Sequence, residues 1–465
     1  MRLACQLRAE GQVTIEVARP APPSRWKSIP VEELPPLLGV QTDVENHNLG
    51  VAVDLGTTHI RVSLWDRQRG LRIASRWGRN PQAVHGADVL NRLSQAQTRP
   101  QRGKELAELA RGAILQAIRD MLAREMGEID TLLPEIGRLL VVGNTAMLAL
   151  LTEAGRTALL DPDCWQRPID CNPPDRAGWR QAWHLPNADL LFPASLAGFV
   201  GSDLLASVLG TRLLEGPPGS MLLDVGTNTE LALWDGRILH VTSVPGGPAF
   251  EGAGSRFGMA AEPGAIARIK ARPGGDGFMC ETVGGAAARG FCGSGLIDAV
   301  AVLFESGILK PSGRFALPVG TEGYTLDPAS PRSAISSADV DAVQRAKAAT
   351  ASAMAELMDL AGLDWQDLGR LCVCGAFGRG LDLGHAQVLG LLPPVGPERI
   401  ELHPNAALAG CECALLAQAP EALFSEIARR ARPINLSFRP GWEDRFINHL
   451  RLGAIPIGAD YRSPA

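Results

Sequence analysis

The feature that most restricts this chain is an internal repeat. VAVDLGTTHIRVSLWD at 51–66 and LLDVGTNTELALWD at 222–235 share one layout: an apolar strand, Asp-x-Gly-Thr, then a second strand ending in Leu-Trp-Asp. The spacing from the aspartate to that ending differs by one residue. Two copies with the same flanks mark a duplicated structural unit rather than a chance turn. Apolar runs on both sides of a glycine-bearing turn predict a strand–turn–strand unit in each copy. With 465 residues there is room for both units to bury a core of their own.

A strand ending in Asp-x-Gly-Thr suits a phosphate. Glycine lets the backbone approach an anion with no Cβ in the way. The N–H groups that follow and the threonine hydroxyl then donate to its oxygens. Gly56, Thr57 and Thr58 in the first copy, and Gly226, Thr227 and Asn228 in the second, are the candidate contacts. Asp54 and Asp224 are candidates for positioning water and for holding a hydrated Mg²⁺, which favours one or two carboxylates plus waters and phosphates. One such hairpin is as readily a plain turn, but a matched pair would clasp a triphosphate from both sides. Asp203, in VGSD at 200–203, is a further candidate general base, with capping of the following helix as its alternative role. Glu230 and Glu251 come next, each close to a phosphate-side turn.

A third element follows. LCVCGAFGRG at 371–380 reads as a buried strand ending in a glycine-rich turn, where Gly375, Ala376, Phe377 and Gly378 would let a base and ribose lie against the backbone. Two phosphate hairpins followed by an adenosine turn resemble the actin, sugar-kinase and heat-shock-chaperone superfold. That resemblance implies an α/β protein of duplicated actin-like (ribonuclease H-like) ATPase domains around a nucleotide cleft, with ATP and Mg²⁺ as cofactors. It also implies adenosine contacts at Gln344 and Lys347, on a helix predicted over 339–360; a solvated helix face is the plainer reading of that pair.

A longer series of motifs narrows the resemblance: GNTAMLALL at 143–151, PAFEGAG at 248–254, CGSGLIDAVA at 292–301, DVDAVQRAKAA at 339–349 and LSFRPGWEDRFINHLRL at 436–452. Together they are similar to the ATP-dependent reductive activators of corrinoid proteins, over nearly all of 49–452. Membership implies ATP-driven return of a methyltransferase system's corrinoid from Co(II) to Co(I), a corrinoid-protein partner, a low-potential electron donor and a possible homodimer. It also implies an N-terminal [2Fe–2S] ferredoxin domain. RLACQ at 2–6, followed by the alternating VTIEV at 13–17, looks like the last strands of such a domain, with Cys5 as a vestigial ligand position; a single thiolate holds no cluster. The expected divisions are a ferredoxin remnant at 1–19, a proline-rich linker at 20–48, ATPase domains at 49–214 and 215–430, and a tail at 431–465 packing on them. Residues 152–198 read as irregular and proline-rich, 102–126 as an amphipathic helix.

Composition removes other classes. A net charge of −5, with no basic run among aromatics, offers nothing to nucleic acid. No apolar run reaches the roughly 18 residues of a membrane span, and the N-terminus lacks a signal-peptide core; a cytoplasmic location follows by default. Nine cysteines suit a reducing compartment. The pairs Cys372/Cys374 and Cys411/Cys413 lack common metal spacings, and Cys372 and Cys374 fit one core face of a strand. Two other functions stay open: a small-molecule kinase whose pocket is shaped by 152–198, and an ATP-switched chaperone-like module.

Overall fold

The computed structural model describes residues 25–34, 47–86, 89–246, 250, 254–272, 277–375, 377 and 380–456. In the first half, Lys27–Ser28 (β1), Leu49–Leu55 (β2), His59–Asp66 (β3), Leu71–Arg79 (β4), Ile136–Gly143 (β5) and Asp189–Leu191 (β6) form one sheet, in the order β1-β4-β3-β2-β5-β6. The second half opens with Ser220–Val225 (β7), Thr229–Trp234 (β8) and Leu239–Val244 (β9). A three-stranded sheet follows, from Ala265–Ala271 (β10), Phe278–Thr282 (β11) and Gly290–Phe291 (β12), then a small ribbon of Tyr324–Thr325 (β13) and Ala334–Ile335 (β14). Arg370–Gly375 (β15), Ile400–His403 (β16) and Ala431–Pro433 (β17) complete the second large sheet, ordered β16-β15-β7-β8-β9-β17.

The repeat therefore extends to topology. Without their outer edge strands, the sheets run β4-β3-β2-β5-β6 and β9-β8-β7-β15-β16, the same order twice. In each, the first three strands form an antiparallel meander and the last two add in parallel. Every residue of β2 is buried, which is why LGVAVDL is a continuous apolar run instead of an alternating one. The edges differ: β1 adds antiparallel to β4, and β17 adds parallel to β9. Within the proline-rich segment, Trp26, Ile29 and Leu34 are buried against the first half and the junction.

The long helix runs Ser337–Ala361, begun by a capping box in which Ser336 and Asp339 satisfy each other's backbone N–H and ended by Gly362 in the left-handed conformation. The helix Pro100–Met121 widens into a π-type turn at 122–126. Residues 152–198 are more ordered than expected. A short helix, Arg176–Ala182, stacks Trp179 on Trp183 at 5.6 Å and sets Trp179 edge-on to Phe192 at 5.5 Å. The β10–β12 sheet was likewise not foreseen.

The halves meet at two helices, Ser202–Gly210 and Ala406–Leu416. A Cβ on Gly410 would lie 1.7 Å from the Ala206 carbonyl oxygen, and one on Gly210 would lie 2.4 Å from that of Ala406. The Cys411 thiol donates to the carbonyls of Val53 and Leu140 at 3.6 and 3.5 Å. Beside it Glu412, 0% exposed, accepts from Arg72 Nε at 2.9 Å and Nη2 at 2.6 Å, and from Trp65 Nε1 at 3.3 Å. Cys372 and Cys374 are fully buried in this same junction core, as the strand reading anticipated.

The helix Trp442–His449 lies along the long helix. Arg439 and Arg445 pair with the buried Glu356. Burial, with help from Lys347 and Arg445, holds the His449 imidazole down to about 3 from its ordinary 6.5. An unfolded chain takes up that proton as pH falls through 6.5, whereas the folded one does not until about 3. Stability therefore declines as pH falls across that window. Urea midpoints measured from pH 7 to 4 should drop, and a His449→Gln variant should lose part of that slope.

Among the described residues no helix is long and apolar enough to cross a membrane. Cys5, and with it the 1–19 segment, lies outside the described residues.

Candidate functional site

Both Asp-x-Gly-Thr turns are closed by the glycine N–H, but the first loop is one residue longer than the second. Gly56 N–H donates to the His59 carbonyl at 3.0 Å, and Gly226 N–H to that of Asn228 at 2.9 Å. The turns face each other across the cleft, with the Thr58 and Thr227 hydroxyls 3.4 Å apart. Between the halves lies a cavity of about 610 Å³. Asp54, Asp203, Asp224, Gly56, Thr57, Gly226, Thr227, Asn228 and Gly375 all line it, so four stretches separated in sequence converge on one space.

From the glycine-rich stretch, Gly375 and Gly380 line this cavity. Gly375 has φ +71°, and a Cβ there would lie 2.3 Å from the Val225 carbonyl oxygen and 2.5 Å from Asp224 Oδ1. Only glycine combines that backbone with that approach. Phe377 is buried against Phe250, ring centroids 4.9 Å apart, and does not itself line the cavity. Ala376, Gly378 and Glu251 lie outside the described residues.

Gln344 and Lys347 are placed elsewhere. Gln344 Nε2 donates to the Leu450 carbonyl at 2.7 Å and Lys347 Nζ to that of Arg451 at 2.5 Å. Neither lines the cavity. They tie the C-terminal segment to the long helix, and desolvation lowers the Lys347 ammonium to about 8.

The floor of the cleft is acidic. Asp54 accepts from Arg61 Nη1 at 3.0 Å, Asp224 from the Ser207 hydroxyl at 2.8 Å, and Glu230 from that of Ser243 at 3.2 Å. Asp203 sits in the first turn of the helix Ser202–Gly210 and accepts from Leu204 N–H at 3.0 Å. Withdrawal from water, followed by the charges of Asp54 and Asp224, raises the Asp203 carboxyl to about 8. Desolvation, then Asp203 and Asp224, pushes Glu230 upward. Desolvation also raises Asp54, against the opposing pull of Arg61. Carboxylates that raise one another's proton affinity form a donor set suited to a divalent cation. They do not form a close chelate. Among the described residues, the groups whose ligand atoms all come within 4.8 Å are Cys372–Glu401–His403 and Asp298–Asp382–His385. Arg370 pairs with Glu401 in the first, and Arg268 lies 3.7 and 3.5 Å from Asp298 and Asp382 in the second. The wider spacing on the cleft floor fits a cation that keeps its waters, as Mg²⁺ does.

Several residues at the site were not singled out from sequence. Asn144 caps the helix Thr145–Thr152 and donates to Thr57 Oγ1 at 2.9 Å. Arg61 from the first half and Arg268 from the second line the cavity, as do Gly293 and Ser294 at the start of the helix Gly293–Glu305. Asn144 was legible in principle, as an Asn between an apolar strand and an apolar helix. The others depend on which strands become neighbours.

Two sheets of identical order, each presenting an Asp-x-Gly hairpin to one shared cavity, define an actin-like ATPase fold. The family description "C-terminal domain of RACo the ASKHA domain" matches residues 219–456, and "RACo middle region" matches 49–215. The chain belongs to the RACo family. It is 27% identical to "Corrinoid activation enzyme RamQ" of Eubacterium limosum, over 87% of this chain and 70% of that protein. It is 28% identical to a "[Co(II) methylated amine-specific corrinoid protein] reductase" of Methanosarcina barkeri, over 74% of this chain and 66% of that one. A solved "Reductive activator for corrinoid,iron-sulfur protein" superposes with a TM-score of 0.73 at 29% identity, covering 89% of this chain and 67% of its own. The chain thus spans about two thirds of the length of these relatives.

Proposed function

We propose that the chain is an ATP-hydrolysing activator that drives a corrinoid protein of a methyltransferase system from Co(II) to Co(I). The observation that carries this reading is the convergence of both Asp-x-Gly-Thr hairpins and Asp203 on one cavity, in a chain matched along most of its length by the RACo family. The nucleotide's phosphates would lie between the hairpins, held by the N–H groups and hydroxyls of Gly56–Thr58 and Gly226–Asn228. Its nucleoside would rest against the Gly375–Phe377 turn. Asp54 and Asp224 would hold a hydrated Mg²⁺, which when bound neutralises phosphate charge. Asp203 would orient the attacking water and accept its proton, a task for which a carboxyl of raised basicity is suited.

ATP plus water gives ADP and phosphate, while one electron from a low-potential donor reduces Co(II) to Co(I). The two reactions are linked through the junction of the halves, because a ligand binding one closure state more tightly shifts the population towards it. The donor is a separate molecule or domain in this reading, and no step is routed through Cys5 or a cluster. A cytoplasmic setting and a homodimer belong to the same proposal.

The test is spectroscopic. The protein is mixed with ATP, Mg²⁺, a low-potential reductant and candidate corrinoid proteins, and the cob(I) absorption band is followed. The band should rise with ATP and stay absent with a non-hydrolysable analogue. Rapid stoichiometric phosphorylation of a small molecule in place of cob(I) formation would overturn the proposal in favour of a kinase.

A further inference from the structure

The two hairpins match in strand pairing but not in charge. In the first, the residue across the ladder from Asp54 is Arg61; in the second, the residue across from Asp224 is Glu230. The same position, one strand over from the motif aspartate and facing the same cavity, therefore carries opposite signs in the two copies. Arg61 commits Nη1 to Asp54 at 3.0 Å, while its side chain, 23% exposed, lines the cavity. Glu230 adds a third acid to Asp224 and Asp203 on the other side.

The cavity has a direction as well. The cavity residues Gly375, Phe250 and Arg268 all belong to the second half, where the proposed function seats the nucleoside, and Arg268 lies between Asp298 and Asp382. A nucleotide with its base on that wall extends its phosphate end towards the first sheet, where Arg61 stands. A guanidinium with one edge fixed by a carboxylate keeps further N–H donors in rigid geometry for an anion.

We propose that Arg61 is a phosphate-binding residue that recognises the terminal phosphoryl group, so that the first hairpin distinguishes a triphosphate from a diphosphate. Glu230 in the matching place gives the second hairpin no such selectivity. The arrangement makes the duplicated clasp electrically polar. It also makes the first half the one that senses hydrolysis, because losing the terminal phosphoryl removes the anion Arg61 would hold. This inference rests on the ATP-binding reading of the cavity.

The experiment is calorimetry with Mg²⁺ on the full chain, comparing a non-hydrolysable ATP analogue with ADP. Arg61→Gln should weaken the triphosphate analogue about 10- to 100-fold more than ADP, the range expected for losing a hydrogen bond to a charged group. Arg61→Lys, which keeps the charge, should recover part of that difference. Equal losses for both nucleotides, or none, would overturn the role of Arg61 while leaving nucleotide binding intact. Failure of the unaltered protein to bind either nucleotide would instead overturn the ATP-binding reading and the inference with it. If Arg61→Gln alone fails to fold because Asp54 is left unpaired, Asp54→Asn/Arg61→Gln compared with Asp54→Asn measures the same difference. A triphosphate-selective loss in that comparison supports the assignment, and its absence refutes it.

Discussion

Asp203→Asn is expected to lower ATP turnover by about 10²- to 10⁴-fold, the usual contribution of a positioned acid or base. Nucleotide binding should survive. The amide is nearly isosteric and still accepts from Leu204 N–H, so the first turn of the helix Ser202–Gly210 is preserved. What disappears is the proton acceptor, raised in basicity by its withdrawal from water and by Asp54 and Asp224. Because burial and the charges of Asp54 and Asp224 hold that carboxyl up at about 8, it is largely neutral near pH 7, so the amide changes the local charge little and nucleotide binding is expected to be unchanged. Steady-state phosphate release beside calorimetry separates the two quantities. Unchanged turnover would move the proton-accepting role to another acid of the cleft, with Glu230 next in line.

Glu412→Ala is expected to cost about 3–5 kcal/mol, the range for removing one partner of a buried ion pair. That is a large share of the roughly 5–15 kcal/mol that holds a typical domain together. The substitution leaves the Arg72 guanidinium facing a small void and takes an acceptor from Trp65 Nε1. Because Arg72 and Trp65 belong to the first sheet and Glu412 to the second half, the loss falls on the junction. Urea unfolding should show a lower midpoint. Glu412→Gln, which keeps the shape and one acceptor, should sit between. Replacing Glu412 and Arg72 together with apolar residues should recover much of the loss, since an uncompensated buried charge is the main penalty.

The repeat made the architecture readable in advance because it is written in the chemistry of a turn. Asp-x-Gly-Thr between apolar strands predicts its own local fold, and two copies predict a pair. The catalytic candidates Asp54, Asp203 and Asp224 share a cavity for a related reason: Asp54 and Asp224 are the penultimate residues of β2 and β7, and Asp203 lies in the first turn of a helix, so each stands where an element ends or begins at the cleft. Gln344 and Lys347 were read from their spacing on a helix. Spacing shows that two side chains share a face, but not what that face meets, and here it meets the backbone at 450–451. Arg61 and Glu230 were invisible as a pair because their contrast exists only once the strands are registered. The 152–198 segment hid its order behind prolines, and its aromatic packing is a matter of contact rather than period.

The close approach of the helices Ser202–Gly210 and Ala406–Leu416 has a further consequence. With Gly410 and Gly210 each meeting a carbonyl of the opposite helix, the separation of the halves at their base is set by backbone touching backbone, with no side chain as a compressible spacer. The molecule then behaves like a pair of callipers whose pivot has no play. A single methyl group inserted at that pivot, far from any phosphate, would be read out at the tips as a wider gap between Thr58 and Thr227. The dimension that matters for gripping a nucleotide is held by two residues that never touch one.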